Sequence, residues 1–171
     1  MPIRPMTDAD VDAVARLHVH TWQVAYAGIV PAAVLDALDP VENARTRRTR
    51  RNPPGATTLV AEAADGALAG FVSCGPYREP DRSGYQHEIG EVYALYVDPA
   101  AWGPGVGRAL FAAAERVLAG RSEMRLWVLA ANDRARRFYE RAGMAADGVT
   151  DLYRPGEGLA ELPELRYAKR L

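Results

Sequence analysis

The chain has 171 residues, with 21 Lys and Arg against 22 Asp and Glu and a formal net charge of −1 at pH 7. This length suits one domain with a substantial core, and a single domain over 1–171 is predicted. The nearly balanced charge argues against a dedicated nucleic-acid binder. The single cysteine, Cys74, excludes an internal disulfide framework and a cysteine-rich zinc site, and it is expected to be a small buried hydrophobe.

No apolar run approaches about 18 residues, so no membrane span is predicted. The N-terminal residues lack the charged and apolar regions of a secretion signal, and a cytoplasmic location is therefore expected. His18 and His20 diverge on a predicted helix, and His87 is far from both in sequence. No metal site is expected, because the histidines lack ligand spacing.

The first third of the chain reads as an edge strand over 3–6, a helix over 7–26 ended by Gly28, and a short helix over 31–38. Five arginines lie within 45–51. We interpret this run as a solvated helix face; the alternative is a basic patch that meets nucleic acid or a ligand phosphate.

The middle of the chain predicts a hairpin, with strands 57–63 and 68–74 around the turn Asp65-Gly66. Residues 76–86 are polar with prolines and glycine, which predicts a loop that borders the functional site. Residues 92–97 are apolar on both faces, which is typical of a central strand buried on both sides.

The last part predicts a buried strand over 124–129, a helix after Asn132 that Gly143 ends, and closing strands at 149–154 and 165–168.

The strand 92–97 stops at Asp98-Pro99 and is followed by Gly103, Gly105 and Gly107, then by an amphipathic helix. That helix is predicted to place Val106, Leu110, Ala113 and Val117 on one stripe. A glycine turn before a helix N-terminus gathers free backbone N–H groups and the positive end of the helix dipole, so the ligand should carry phosphate. The spacing matches neither the dinucleotide fingerprint nor the P-loop.

Residues 97–107, Val-Asp-Pro-Ala-Ala-Trp-Gly-Pro-Gly-Val-Gly, resemble the pyrophosphate-binding motif of the GNAT family of acetyl-coenzyme A-dependent N-acetyltransferases. Residues 132–144 are similar to that family's second coenzyme A motif. The resemblance implies an α/β fold with a mixed, mostly antiparallel sheet of six to seven strands. Helices would cover both faces, and the two central strands would splay apart.

The resemblance also implies a cofactor site for acetyl-coenzyme A. Backbone groups of Leu95, Tyr96 and Val97 would pair with the pantetheine arm. Asn132 would contact the pantetheine arm or adenine-side groups, cap its helix, or do both. The pyrophosphate would be held by the turn, with Trp102 beside it, through the residues Gly103, Gly105, Val106, Gly107 and Arg108. Trp102 and Pro104 depart from the family's usual residues, and Pro104 removes one N–H donor.

Two catalytic residues follow from the resemblance. Tyr139 matches the tyrosine that protonates the departing sulfur; the alternative is an aromatic packed beside Phe138. Glu91 is the candidate base and is expected to share a strand face with Tyr93, Leu95 and Val97. It could instead anchor a substrate ammonium or be a strand-end charge, with Glu88 as the substitute base.

Residues 21–38 resemble, more loosely, the N-terminal part of a bacterial subgroup that includes polyamine acetyltransferases. Trp22 and Tyr26, one helical turn apart, would then line the acceptor side together with Glu88 and other acidic groups such as Asp36. We therefore expect acetyl transfer to a small cationic amine by direct transfer in a ternary complex. A protein N-terminal or lysine acetyltransferase and a non-catalytic coenzyme A-binding regulator are the alternatives, and a homodimer stays open.

Overall fold

The computed structural model describes residues 1–50, 52–79, 81, 83–103 and 105–171. The described residues form seven strands: β1 (Ile3–Pro5), β2 (Thr57–Glu62), β3 (Leu68–Arg78), β4 (Tyr85–Val97), β5 (Glu123–Leu129), β6 (Ala145–Tyr153) and β7 (Leu162–Arg170). They also form five α-helices: α1 (Val11–Ala25), α2 (Ala32–Asp36), α3 (Pro40–Thr49), α4 (Val106–Leu118) and α5 (Asp133–Arg141). Short 3-10 turns cover Asp8–Asp10 and Pro99–Ala101.

The strands form one sheet in the order β1-β2-β3-β4-β5-β7-β6. Strands β4 and β5 run parallel, while the other neighbouring pairs are antiparallel. Strands β2, β3 and β4 are consecutive in the chain and neighbours in space, as hairpin connections predict, while β1 pairs with β2 across the segment that holds α1, α2 and α3. The predicted mixed, mostly antiparallel sheet is therefore confirmed, with seven strands.

The two faces of the sheet carry different helices. Helix α4 buries Val106, Leu110 and Leu118 in the same apolar cluster as Val72 and Tyr167. Helix α1 packs Val14 and Leu17 against the opposite face, where alternate residues of β2 and β3 point. Because strand residues alternate in direction, both faces of the central strands are buried, as their continuous apolar sequence predicts.

Several sequence predictions differ from the structure in their details. The loop predicted over 76–86 is shorter, because Tyr77 pairs with Gln86 and Arg78 with Tyr85 to extend the β3–β4 hairpin. Val117 on α4 is 41% exposed, and the buried positions near it are Phe111, Ala114 and Leu118.

Strand β6 begins at Ala145, earlier than predicted. It is exposed along most of its length and so lacks an apolar alternation that would reveal it. Within the described ranges, none of the helices is long and apolar enough to cross a membrane.

Candidate functional site

The main cavity opens where β4 and β5 separate. Their parallel pairing covers only Ile89–Glu91 with Glu123–Arg125, so the C-terminal part of β4 is paired on one side alone, with β3. A β-bulge lies at this point, because Ser73 pairs with Ala94 while Cys74 pairs with Val92. A bulge bends and twists the strand that carries it, which fits the divergence of β4 from β5. The gap belongs to a cavity of about 810 Å³.

The backbone of β4 presents free polar groups to this cavity. The Asp98 N–H donates to the Ala69 carbonyl at 2.9 Å, and hydrogen-bonded and non-bonded pairs alternate along an antiparallel ladder. Leu95 and Val97 therefore direct their N–H and C=O groups toward the gap, while Tyr96 directs its own toward β3. For Tyr96, this orientation contradicts the predicted backbone contact with a pantetheine arm; the Tyr96 side chain lines the cavity instead.

The glycine turn stands at one end of the cavity, directly before α4. Gly103 and Gly105 adopt left-handed backbone conformations, with φ of 108° and 93°. A Cβ atom at either residue would meet nothing within 4 Å, so glycine is required there by backbone conformation and not by crowding. At Gly107 a Cβ atom would lie 3.4 Å from the Phe138 ring, an ordinary van der Waals distance, so crowding does not require glycine there either.

The first turn of α4 leaves its N–H groups unpaired within the helix and faces the cavity through Val106, Gly107 and Arg108. This arrangement suits an anion. The prediction that concerns Pro104 lies outside the described residues.

Trp102 joins the two walls of the cavity. Its indole N–H donates to the Val97 carbonyl at 2.9 Å, and the Arg134 guanidinium lies 3.3 Å from the centre of its ring system. The polar N–H of this side chain therefore engages a β4 carbonyl that a pantetheine arm could otherwise use. Arg134 has no carboxylate partner among the described residues, which leaves its charge directed at the cavity.

Arg134 and Arg141 are cavity-lining cations that the sequence reasoning did not single out. The arginine-rich sequence of α5, at the start of a helix beside the turn, was the available signal. Asn132 begins this helix: its side-chain oxygen accepts from the Ala135 N–H at 3.1 Å, and it is buried at the cavity wall. The capping interpretation is confirmed, and contact with a cofactor stays a prediction.

Tyr139 lies inside the cavity wall on α5, beside the rings of Phe138 and Phe111 at centroid distances of 5.2 and 6.0 Å. Burial raises the pKa of its phenol well above the ordinary value of 10. The group therefore carries its proton at neutral pH, as a proton donor requires. The nearby Tyr96 hydroxyl contributes to the same shift.

Glu91 is buried, at 1% exposure, and its carboxylate is hydrogen-bonded to one residue, Arg78. It accepts the Arg78 backbone N–H at 2.8 Å and a guanidinium N–H at 2.5 Å. The expected shared face with Leu95 and Val97 is wrong. Glu91 pairs with Gly75 and Leu95 with Val72, and the intervening bulge reverses the alternation.

The structure does not bring either predicted acidic residue of β4 into the cavity wall. Glu91 is not among its lining residues, and Glu88 is exposed near the start of the β4–β5 pairing, before the strands separate. The Glu88 carbonyl accepts the Ser122 N–H at 2.9 Å, a structural contact.

The C-terminal half of α1 supplies the opposite side of the cavity. Tyr26 lines it, and the Trp22 ring lies 4.7 Å from Tyr26 and 6.0 Å from Tyr153. Burial raises the pKa of Tyr26, and Tyr96, Tyr139 and Glu164 raise it further. These groups are therefore electrostatic neighbours. The sequence did not single out Glu164, because no motif near β7 indicates which residues lie beside Glu164 in the sheet.

His18 belongs to a packed cluster between α1 and α3. Its Nδ1 accepts from the Arg47 guanidinium at 2.8 Å, since guanidinium can only donate, and its ring stacks on Tyr96 at 4.9 Å. Burial, then the charges of Arg47 and Arg50, lower the His18 pKa to about 4. In the part of the chain that the structure describes, no group of three or more His, Cys, Asp or Glu is placed to hold a metal ion.

The arginine run falls mainly on α3, with Arg51 outside the described residues. Arg45 pairs with Glu42, and Arg48 with Asp12 at 2.8 Å, while Arg47 reaches His18. Arg45, Arg48 and Arg50 are exposed, as a solvated helix face predicts, whereas Arg47 is partly buried and packs over the Phe71 ring.

Comparisons with known proteins agree on one family. Residues 16–144 match the acetyltransferase (GNAT) family. YuaI of Bacillus subtilis (strain 168), named an uncharacterized N-acetyltransferase, is 34% identical over 125 residues, or 72% of this chain and 68% of that protein.

Two solved structures share the fold over nearly their whole length. The ribosomal-protein-alanine N-acetyltransferase from Brucella melitensis has a TM-score of 0.73 and 24% identity, covering 100% of both chains. The PaiA N-acetyltransferase from Thermoplasma acidophilum in complex with coenzyme A has a TM-score of 0.71 and 20% identity, covering 99% of this chain and 98% of that one. With the glycine turn, the splayed strands and the family match in agreement, the chain belongs to the GNAT family and is an acetyl-coenzyme A-dependent N-acetyltransferase.

Proposed function

We propose that the protein transfers acetyl from acetyl-coenzyme A to the primary amine of a small cationic acceptor, directly and within a ternary complex. The observation that carries the proposal is the cavity between β4 and β5, which has an anion-binding turn at one end and Tyr26 and Tyr139 in its wall. A thioester carrier with a diphosphate fits this arrangement, because its diphosphate can lie at the turn while its thioester lies beside the tyrosines.

The cofactor would be held mainly by backbone groups. The N–H groups of Gly105, Val106 and Gly107 and the cations of Arg108 and Arg134 suit the diphosphate. A ligand strand beside β4 would pair with the free N–H and C=O groups of Leu95 and the N–H of Val97. One of those N–H groups could also donate to the thioester oxygen as negative charge develops on it.

Tyr139 is proposed to protonate the departing thiolate, because it lies in the cavity wall and its raised pKa keeps the phenol protonated at neutral pH. Direct transfer is supported by Cys74, which is buried and whose pKa burial raises to about 11. It is not among the cavity's lining residues and is poorly suited to form an acetyl-enzyme. Incubation with acetyl-coenzyme A alone should therefore leave the protein unacetylated by mass spectrometry.

Glu91 remains the predicted base, but its carboxylate is paired with Arg78 and does not line the cavity. It would therefore act on the amine indirectly. Glu91→Gln should lower kcat at neutral pH by about 100-fold, the usual contribution of a general base, with recovery at higher pH where more of the amine is neutral. A kcat within twofold of wild type across the pH range would remove Glu91 from the chemistry and leave it as the partner of Arg78.

The deciding experiment is an amine screen with thiol detection. Release of free coenzyme A thiol is expected with small cationic amines. Acetylation of a peptide panel without any small amine would indicate a protein acetyltransferase instead. Binding of acetyl-coenzyme A by calorimetry, with no amine or peptide releasing thiol, would indicate a coenzyme A-binding regulator.

A further inference from the structure

Glu164 projects toward the acceptor side of the sheet. It lies directly opposite Leu129 on β5 and opposite Asp151 on β6. Residues directly opposite each other in antiparallel strands share a face. Leu129 packs in a cluster with Val30 and Leu35, with Trp22 against it. The Glu164 side chain is therefore on the face that α1 and α2 cover.

Aromatic rings stand on the same face. Tyr153 is opposite Leu162, two residues before Glu164 on β7, so its ring shares that face. The Trp22 ring lies 6.0 Å from Tyr153 and 4.7 Å from Tyr26, with both contacts edge to face. We call these three rings and Glu164 the aromatic–carboxylate cluster. All four residues are partly exposed.

The carboxylate of this cluster is not directly paired with a cation among the described residues. It takes part in none of their ion pairs or side-chain hydrogen bonds, whereas the nearby Arg78 is paired with Glu91. Burial raises the pKa of Glu164, the charge of Asp151 adds to this, and the charge of Arg78 opposes it in part. The charge of Glu164 in turn raises the pKa of both Tyr26 and Tyr153. A partly desolvated negative charge beside aromatic faces favours a positively charged ligand.

The cluster adjoins the cofactor cavity but is not at its reacting end. Tyr26 lines the cavity, and its ring also packs against Trp22 of the cluster. Glu164 is not among the lining residues of the cavity. Its carboxylate therefore lies outside the cavity that would hold the thioester. The amine that is to be acetylated must be neutral there in order to attack.

We propose that the aromatic–carboxylate cluster binds a positively charged group of the acceptor other than the amine that is acetylated, so that diamines and longer polyamines are preferred over monoamines. This inference rests on the proposed function, because it names the acceptor class of the same site. The distal ammonium would donate to the Glu164 carboxylate and lie against the rings of Trp22 and Tyr153, while the neutral amine reaches past Tyr26.

The test compares 1,4-diaminobutane with butylamine, using wild type, Glu164→Gln and the control Glu157→Gln, which removes an exposed carboxylate from a turn before β7. Glu164→Gln should raise the KM for the diamine about tenfold or more, because a charged hydrogen bond is lost, and change kcat less than threefold. The KM for butylamine should stay within twofold, as should both values in Glu157→Gln. Equal melting temperatures establish that the variants are folded.

A binding measurement separates this inference from the proposed function. Calorimetry of 1,4-diaminobutane with the protein and coenzyme A should show binding in wild type and in Glu157→Gln, but at least tenfold weaker binding in Glu164→Gln. If diamine binding depends on Glu164 but no amine is turned over, the proposed function is overturned and the proposed role of the cluster is supported. Turnover of amines with the diamine KM unchanged in Glu164→Gln, or with kcat lost for both amines, would overturn the cluster and keep the function.

Discussion

The indole N–H of Trp102 donates to the carbonyl of Val97, the last residue of β4, at 2.9 Å. This bond ties the 3-10 turn after β4 back onto the strand, while the same indole ring supports the Arg134 guanidinium of α5. Both walls of the cofactor cavity are thus connected through one side chain. Its two contacts can be removed separately.

Trp102→Phe should lower the free energy of unfolding by about 1 kcal/mol, because it removes the hydrogen bond but keeps a ring under Arg134. Trp102→Leu should cost about 1 kcal/mol more and weaken acetyl-coenzyme A binding, since the cation–π contact that positions Arg134 is also lost. Urea unfolding and calorimetry measure the two effects. Equal cofactor affinity in the two variants would show that Arg134 does not depend on this ring.

Tyr139→Phe should lower kcat by about 100-fold while the Kd for acetyl-coenzyme A stays within twofold, because the hydroxyl acts on the leaving thiolate. The protonated phenol is the active form, and its pKa is raised. In wild type, kcat should therefore hold its plateau as pH rises toward 10, with no loss from this group. The control is Tyr85→Phe, since Tyr85 is 44% exposed at the start of β4. An unchanged kcat in Tyr139→Phe would remove the tyrosine from the mechanism.

Gly105→Ala should destabilise the fold by roughly 1–2 kcal/mol and weaken acetyl-coenzyme A binding, because φ of 93° is unfavourable for any residue with a Cβ atom. Gly84→Ala is the matched control: it also has open space for a Cβ atom, but its φ is not in the left-handed region. Urea unfolding should leave that control near wild type. Similar losses in both variants would show that the turn's backbone conformation is not the cause.

Arg78→Met should lower the free energy of unfolding by about 3 kcal/mol, because it leaves the fully buried Glu91 carboxylate with only a backbone N–H. Arg154→Met removes a partner of the exposed pair with Glu161 and should cost less than about 1 kcal/mol. The double variant Arg78→Met/Glu91→Gln should be more stable than Arg78→Met alone. A double variant that is less stable would contradict the assignment of the cost to an unpaired charge.

His18 should make stability depend on pH between about 4 and 6.5, its folded and ordinary pKa values. In that window the unfolded chain binds the proton more readily, so stability rises with pH and is lost as pH falls. The contribution is on the order of 3 kcal/mol and is fully present above pH 6.5. His18→Gln should flatten this part of the unfolding profile, while His20→Gln, at an exposed position of α1, should not. A slope that survives in His18→Gln would point to another group.

The local elements could be predicted from sequence because their signals are local. Glycines at Gly103 and Gly105 indicated backbone conformations that other residues rarely adopt, and the helix that follows them carries its apolar stripe at regular spacing. These two features, with the continuous apolar strand before them, were sufficient to predict the anion-binding turn. They determine the local backbone conformation of neighbouring residues in the chain.

The tertiary structure decided what the side chains near that turn can do. One extra residue in β4, between the pairs that Val92 and Ala94 make, turns Glu91 away from Leu95, and a period-two reading of the sequence cannot detect it. Glu164 shares a sheet face with Leu129 and Tyr153 only because β7 lies between β5 and β6. Sequence by itself determined the turn and the elements around it, since backbone preference acts between chain neighbours. Only the tertiary structure decided which residues distant in sequence lie side by side, because strand register and strand order depend on contacts across the whole sheet.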